Sequence, residues 1–215
     1  MNKLDDMMEQ SSDVTAKITL LQQKAKQGKK IYEMIYYRRD KDDAFLIIFI
    51  NPESEKGNGY LRVGDNFWMY RRNTRTFQHI SRDENISSTD VKGGDFEKVK
   101  LIEQFEPLKD DAGKAVLTEE SLGEKHVPLY KFTLIAKVND VTYPKQVFWV
   151  EKEEFLPRKV ESYSLSGMLM NTALHYKYIK LQGKFVNVLS KYIDEFEKGN
   201  VTVVKISDIN LDKIS

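Results

Sequence analysis

The chain has 215 residues, 34 of them Lys or Arg and 33 Asp or Glu, and 40% of its residues are hydrophobic. This length fits one large β domain or two small ones, and such a chain buries roughly 70% of the surface that its unfolded form exposes. The formal net charge of +1 gives no long-range attraction for nucleic acid, so no nucleic-acid partner is predicted. The absence of cysteine excludes disulfides, thiolate metal sites and a cysteine nucleophile.

The first third of the chain predicts strands joined by tight turns. Residues 2–10 predict a short helix with apolar side chains on one face, and the alternation from residue 14 to residue 20 has the period of a half-buried strand. A second strand at 31–39 ends in the polar segment 40–43, which is typical of a hairpin tip. The apolar run 45–50 and the short glycine-bounded segments after it favour a meander of antiparallel strands.

One amphipathic helix interrupts this pattern. Asp95 is a suitable N-cap, and apolar residues follow it at near-helical spacing until Pro107. We therefore predict a helix over residues 95–105, and Gly93-Gly94 before it offers the freedom of a hinge.

The second half returns to hairpins with polar turns of two to four residues. The predicted strands lie at about 114–122, 128–138, 141–151, 156–166, 168–181, 184–195 and 200–208. The total is about eleven strands, and a sheet of this size must curl because strand twist accumulates. Without a linker or repeat, the sequence predicts a single domain over residues 1–215. The fold class is mainly β (α+β), and helices or a ligand must fill the space that the side chains leave.

A series of short motifs carries a family resemblance. They are Phe45-Leu46-Ile47-Ile48-Phe49-Ile50-Asn51-Pro52, Lys56-Gly57, Tyr60-Leu61, Phe67-Trp68-Met69-Tyr70, Phe77-Gln78-His79-Ile80, Gly93-Gly94-Asp95-Phe96, Val147-Phe148-Trp149-Val150 and Leu156-Pro157-Arg158-Lys159. In this order they resemble the outer-membrane lipoprotein-sorting family, relatives of the periplasmic carriers LolA and LolB, over roughly residues 45–210. Gly94 departs from the family, which often has serine there. The resemblance implies a half-open antiparallel β-barrel with helices as a lid.

The resemblance also implies a function. Relatives shield acyl chains of lipids or lipoproteins in the barrel cavity, so we expect a non-enzymatic carrier with acyl chains or lipoproteins as partners. A membrane-bound donor or acceptor protein is a possible further partner, and no cofactor is predicted. The alternative is an envelope-anchored interaction module, sensor or adhesin that uses the same fold without lipid cargo.

The expected location is the periplasm or the cell envelope. The resemblance implies a precursor with a signal peptide and, in many relatives, a lipidated cysteine after it, so a lipid anchor is one option. The residues from Met1 to Asp6 have neither the basic nor the apolar region of a signal peptide, and no cysteine is present.

Candidate cavity or lid residues are aromatic, aliphatic or methionine side chains, because apolar ligand sites are lined by such groups. They are Trp68, Tyr70, Phe77, Phe96, Leu101, Ile102, Phe105, Phe132, Phe148, Trp149, Met168 and Met170. Ordinary core packing is the alternative for each. Strand alternation places Phe67 and Met69 opposite Trp68 and Tyr70, and the sequence leaves open which pair faces inward.

Two polar features complete the sequence. The basic cluster at residues 71–75 predicts a solvated hairpin tip, with contact to an anionic lipid or partner at the barrel rim as the alternative. His79, His126 and His175 fall in separate predicted elements and match no catalytic motif, so the sequence predicts no enzyme.

Overall fold

A computed structural model describes residues 4–6, 12–25, 27–81, 83–87, 89, 91–96, 100–124 and 126–211. These residues contain fourteen β-strands. The strands are β1 (Val14–Lys24), β2 (Gly28–Arg39), β3 (Ala44–Asn51), β4 (Gly59–Val63), β5 (Asn66–Arg71), β6 (Thr76–His79), β7 (Phe105–Pro107), β8 (Leu117–Leu122), β9 (Val127–Ala136), β10 (Lys145–Glu151), β11 (Pro157–Tyr163), β12 (Leu169–Leu181), β13 (Lys184–Asp194) and β14 (Val201–Asn210). Helix α1 is Leu101–Gln104, and 3₁₀ turns lie at Asp40–Asp42 and Gly93–Phe96.

The chain folds as two compact units. The first unit is Gln10–Phe96 with Asn200–Ser215, and the second is Met1–Glu9 with Glu97–Gly199. In the first unit the strands pair in the order β6-β5-β4-β3-β2-β1-β14, and in the second in the order β13-β12-β11-β10-β9-β7, with β8 also paired to β9. The register pairs described within each unit are antiparallel, which confirms the predicted fold class. The single domain over residues 1–215 stays a prediction.

The alternation predicted for β1 is confirmed. Val14, Ala16, Ile18 and Leu20 are buried, while the residues between them are partly exposed. Their face of the sheet, which we call the core face, continues across β2 and β3 through side chains such as Met34 and through a network of aromatic rings. Tyr32, Tyr36, Phe45, Phe49, Tyr60 and Phe67 form this network, with ring centroids 5.8–6.0 Å apart.

The described residues of the segment 80–96 cover the core face of the first unit. Ile80, Ile86 and Val91 are buried in this segment. The amide of Ser87 donates a hydrogen bond of 2.8 Å to the Tyr60 hydroxyl, which ties the segment to the sheet. The core of this unit therefore lies between the sheet and the covering segment.

The second unit has its own core on one face of β9–β12. Leu134, Phe148, Val150, Val160 and Ala173 are buried there, and they pack with Leu4 and Phe105 from outside these strands. Phe132 and Phe148 stack with an interplanar angle of 6° and centroids 5.7 Å apart.

The helix predicted over residues 95–105 is wrong as a single element. A 3₁₀ turn ends at Phe96, Lys100 is extended with φ −89° and ψ 119°, and α1 has only four residues. Phe105 begins β7 and pairs with Ala136, because its backbone groups join the sheet ladder instead of a further helical turn. Of the helix predicted over residues 2–10, residues 4–6 are helical, and the remainder lies outside the described residues.

The predicted count of about eleven strands is too low by three, since the described residues contain fourteen. Very short strands account for part of the difference. β6 has four residues and β7 has three, so neither is long enough to show an alternating pattern of its own.

Candidate functional site

The structure decides which face of β5 is inward. Phe67 is only 3% exposed, and its ring lies 5.8 Å from those of Phe45 and Tyr60 in the core. Successive strand residues point to opposite faces, so Trp68 and Tyr70 lie on the other face of the sheet. We call it the groove face.

Cross-strand pairs build the groove face from four strands. Trp68 lies opposite Leu61, Leu61 opposite Leu46, and Leu46 opposite Tyr37. Directly opposed residues of antiparallel strands share a face, so these four side chains form one apolar row.

A second row beside it contains a gap. Phe77 lies opposite Tyr70, Tyr70 opposite Gly59, and Gly59 opposite Ile48. Gly59 places no side chain between Tyr70 and Ile48, and a Cβ there would lie 2.5 Å from the carbonyl oxygen of Ile47. The close backbone contact therefore requires glycine and leaves a hollow on this face.

An apolar groove of about 380 Å³ lies on this part of the first unit. Its lining residues are Tyr37, Arg39, Ala44, Phe45, Leu46, Ile48 and Leu61. Sites for small ligands have volumes of about 300–1,000 Å³ and mostly apolar walls with a few polar groups. The groove matches this description, with one guanidinium and one phenol among hydrocarbon side chains.

Arg39 gives the groove its cationic group. Its Nε lies 2.5 Å from Oδ2 of Asp42, and both side chains are partly exposed. A guanidinium has five N–H donors, so this ion pair does not use its full capacity. The combination of a hydrocarbon wall and a cation suits a ligand with an apolar body and an anionic head.

Trp68, Tyr70 and Phe77 extend the apolar surface along β5 and β6. The Tyr70 and Phe77 rings are 4.9 Å apart, and Phe77 is 61% exposed. Trp68 makes an edge contact with His79 at 5.8 Å. The structure thus brings three of the predicted residues together on the groove face, and their contact with a ligand stays a prediction.

Phe96 lies in the first unit but on the core side. Its ring is 5.9 Å from that of Tyr36 and 6.2 Å from that of Phe45, and its carbonyl accepts a hydrogen bond from the Tyr36 hydroxyl at 3.4 Å. In this structure it is part of the packed cover over the aromatic network.

The other eight predicted residues belong to the second unit. Phe105 and Phe148 are core residues, with Leu101 and Phe132 packed against them. Ile102 is exposed on α1. Met168 is exposed in the turn between β11 and β12, and Met170 follows it, partly buried, on β12.

Trp149 lies on the face of β10 opposite Phe148. It packs with the buried residues Leu129 and Val147, and its indole Nε1 donates a hydrogen bond of 2.7 Å to Oε2 of Glu120.

Lys159 and Lys131 place their ammonium groups 4.3 and 4.9 Å from the centroid of the Trp149 ring. The hydrogen bonds from Lys131 and Trp149 lower the pKa of Glu120. Protein groups of the second unit thus surround this indole.

Sequence reasoning missed Tyr37, Leu46, Ile48 and Leu61. The signal that could have found them is the unbroken apolar run of β3, Phe45 to Ile50, since such a run places hydrophobic side chains on both faces of a sheet. One face is the core, and the other forms the groove.

His175 is part of a partly buried polar cluster in the second unit. Its Nδ1 lies 2.8 Å from Oγ of Ser190, and that hydroxyl donates a hydrogen bond of 2.5 Å to Oδ1 of Asn187. Burial and the nearby charge of Arg158 lower the pKa of His175 to about 4, so the imidazole is neutral at pH 7. Ser190 is only 3% exposed, so its hydroxyl is shielded from solvent.

Two further features are absent from the described ranges. Within them, no three His, Cys, Asp or Glu residues come together as a metal site requires. In the same part of the chain, no helix combines the length and the apolar character needed to cross a bilayer.

One known protein family matches this chain. A family model described only as an uncharacterized protein matches residues 41–215. No curated protein matches the chain.

Three solved structures share the fold. A LolA superfamily protein from Nitrosomonas europaea is 20% identical with a TM-score of 0.80, and the alignment covers 100% of this chain and 92% of that one. A putative outer membrane lipoprotein-sorting protein domain from Vibrio parahaemolyticus is 20% identical with a TM-score of 0.82, covering 98% and 90%. A DUF1329 family protein from Desulfovibrio piger is 18% identical with a TM-score of 0.83, covering 98% and 91%. These similarities confirm the predicted resemblance at the level of the fold.

Proposed function

We propose that this chain, which belongs to the uncharacterized protein family whose model matches residues 41–215, is a non-enzymatic carrier that holds an acyl chain of a lipid or lipoprotein. The observation that carries the proposal is the apolar groove of about 380 Å³ on the first unit. The fold shared with a LolA superfamily protein and with a lipoprotein-sorting domain supports the same class of function.

The groove has the right character for a cargo that must be both bound and released. Removing one CH₂ group from water contributes about 0.8 kcal/mol, so a chain of about sixteen carbons has roughly 12 kcal/mol available. A groove that is open to solvent along one side recovers only part of this free energy. Partial coverage permits hand-off without complete unfolding of the site.

The two ends of the cargo have different partners in this proposal. The hydrocarbon lies along Leu46, Leu61 and Ile48, while the guanidinium of Arg39 binds an anionic head. Asp42 competes for Arg39, so the head group gains a charge-assisted hydrogen bond only by displacing or sharing that ion pair.

The fold shared with a LolA superfamily protein and a lipoprotein-sorting domain also supports a cellular setting. We place the protein in the periplasm or cell envelope, with a membrane-bound donor or acceptor as a further partner. A lipid anchor is compatible with this location.

Native mass spectrometry, followed by organic extraction and lipid identification, tests the proposal. We expect bound acyl species at near-stoichiometric ratio, and uptake of a fluorescent fatty-acid probe by delipidated protein. The variant Ala44→Phe fills the groove without adding charge and should lose the probe, with its urea midpoint as a check on folding.

Leu117→Phe is the matched control. Leu117 is a 55% exposed residue of the second unit, away from the groove lining, and its exchange should leave uptake unchanged. Empty protein that takes up no probe, or an Ala44→Phe variant that binds it normally, would favour the interaction module without lipid cargo.

A further inference from the structure

We infer that the β5–β6 hairpin docks the protein onto a bilayer that contains anionic phospholipid. Its tip carries Arg71, Arg72 and Arg75, all exposed, and the sequence from Tyr70 to Phe77 contains no Asp or Glu. The three cations lie at the end of β5 and in the turn that follows it, and they form a positive site in a chain whose formal net charge is only +1.

Apolar groups flank these cations. Tyr70 and Phe77 are cross-strand partners with ring centroids 4.9 Å apart, and Phe77 is largely exposed. Aromatic rings beside arginines are the pattern of a membrane interface, where the rings enter the head-group layer and the cations bind phosphates. A soluble anion would use the charges but not the exposed rings, so a lipid surface is the partner that uses both.

Several polar groups of the tip already have protein partners. The amide of Arg72 donates to Oδ1 of Asn58 at 3.0 Å, and the amide of Thr74 donates to Oδ1 of Asn73 at 2.9 Å. The hydroxyls of Thr74 and Thr76 are 2.6 Å apart. Because these groups have protein partners, they lose little when the tip moves from water into the head-group layer.

The neighbouring turn at residues 52–57 does not cancel the charge. Glu53 pairs with Lys56 at 3.2 Å, and Glu55 accepts a hydrogen bond from the Asn58 side chain at 2.9 Å. This turn carries two acidic side chains and one basic side chain. Together with the three arginines of the tip, the combined surface keeps a net positive charge.

The docking surface is continuous with the groove face. Tyr70 lies opposite Gly59, and Gly59 lies opposite the groove residue Ile48. A bilayer held at the hairpin would therefore lie beside the hollow that leads to the groove. This inference goes beyond the proposed carrier function, since docking does not require cargo.

Co-sedimentation with vesicles of phosphatidylcholine, with and without phosphatidylglycerol, tests the inference. We expect binding only to the anionic vesicles, weakened by salt because the cations are exposed. Each cation near an anionic surface strengthens binding roughly fivefold, so Arg71→Gln/Arg75→Gln should weaken it about 30-fold. Phe77→Ser should weaken it independently, and inorganic phosphate should not compete at equal ionic strength.

The control Lys41→Gln/Lys205→Gln removes the same charge at exposed positions outside the hairpin and should bind like the unchanged protein. Equal weakening by both double variants would show a general charge effect and overturn the inference. Equal binding to neutral and anionic vesicles, or binding to neither, would also overturn it. Uptake of the acyl probe in vesicle-free solution reports on the carrier function separately, so the two failures are distinguishable.

Discussion

The indole Nε1 of Trp149 donates a hydrogen bond of 2.7 Å to Oε2 of Glu120, on the face of β10 opposite the core residue Phe148. The lysines beside the ring complete its surroundings. Trp68, in the first unit, is instead the cross-strand neighbour of the groove residue Leu61. The two tryptophans of the chain therefore have different relations to the proposed cargo.

Brominated fatty acid should distinguish these two tryptophans by fluorescence quenching. In the Trp149→Phe variant, Trp68 is the one remaining indole of the two in the sequence, and excitation selective for tryptophan reports on it. We expect the brominated acyl chain to quench it because bromine quenches indoles at short range. In the Trp68→Phe variant, Trp149 should be little affected. Quenching of Trp149 alone would place the cargo in the second unit and contradict the groove assignment.

Replacement of Asp5 should destabilise the second unit. Its Oδ1 and Oδ2 accept hydrogen bonds from the amides of Leu101 at 3.0 Å and Ile102 at 3.1 Å, so Asp5 caps α1 from a distant part of the chain. We expect Asp5→Ala to cost about 1 kcal/mol in the free energy of unfolding, as for other N-cap carboxylates. Urea denaturation would measure it, and Asp6→Ala provides the control. Equal losses in both variants would argue against capping.

Gly93 should be intolerant of a side chain. A Cβ there would lie 2.2 Å from the ring of Phe67, which is buried and cannot turn away. We expect Gly93→Ala to cost about 1–3 kcal/mol through overpacking. Because the contact is with one ring, Phe67→Leu should relieve part of this cost in a double-mutant cycle. Additive effects of the two substitutions would refute this explanation.

His175 should make stability depend on pH. Its pKa is about 4 in the folded chain against an ordinary value of 6.5, so between these values protons bind preferentially to the unfolded chain. Above pH 6.5 the contribution of His175 to the free energy of unfolding should be fully present. As the pH falls to 4, the free energy of unfolding should decrease by up to about 3 kcal/mol.

Urea denaturation at a series of pH values would measure this effect. The free energy of unfolding should change less with pH in the His175→Gln variant. The His126→Gln variant, changed in an exposed turn, should keep the pH dependence of the unchanged protein. The same pH slope in the His175 variant and the unchanged protein would assign the effect to other groups.

The predictions that hold depend on short-range patterns. The alternation of β1 placed Ile18 and Leu20 on a buried face, and the family motifs identified the fold that the solved structures share. These features are visible because side chains alternate strictly along a strand and turns need particular residues.

The predicted helix over residues 95–105 shows the limit of such patterns. The apolar spacing from Phe96 to Phe105 suits a helix, yet Phe96 packs on Tyr36 in the first unit and Phe105 pairs with Ala136 in the second. These partners are 60 and 31 positions away in the chain. Contacts with them outweigh the local helix propensity, which contributes little free energy per residue. The cap from Asp5 cannot be predicted from local sequence either, because Asp5 is 96 positions from Leu101.

Strands with strong alternation, turn residues and the family resemblance can be predicted from the amino-acid sequence, as can the apolar character of Trp68, Tyr70 and Phe77. The fold is needed to know that Phe67 enters the core and that Trp68 lies on the other face. That face also carries the groove residues Tyr37, Leu46, Ile48 and Leu61. Alternation along a strand assigns residues to two faces but does not indicate which face is buried. That choice depends on what covers each face, and here the covering segment of residues 80–96 packs on the side of Phe67.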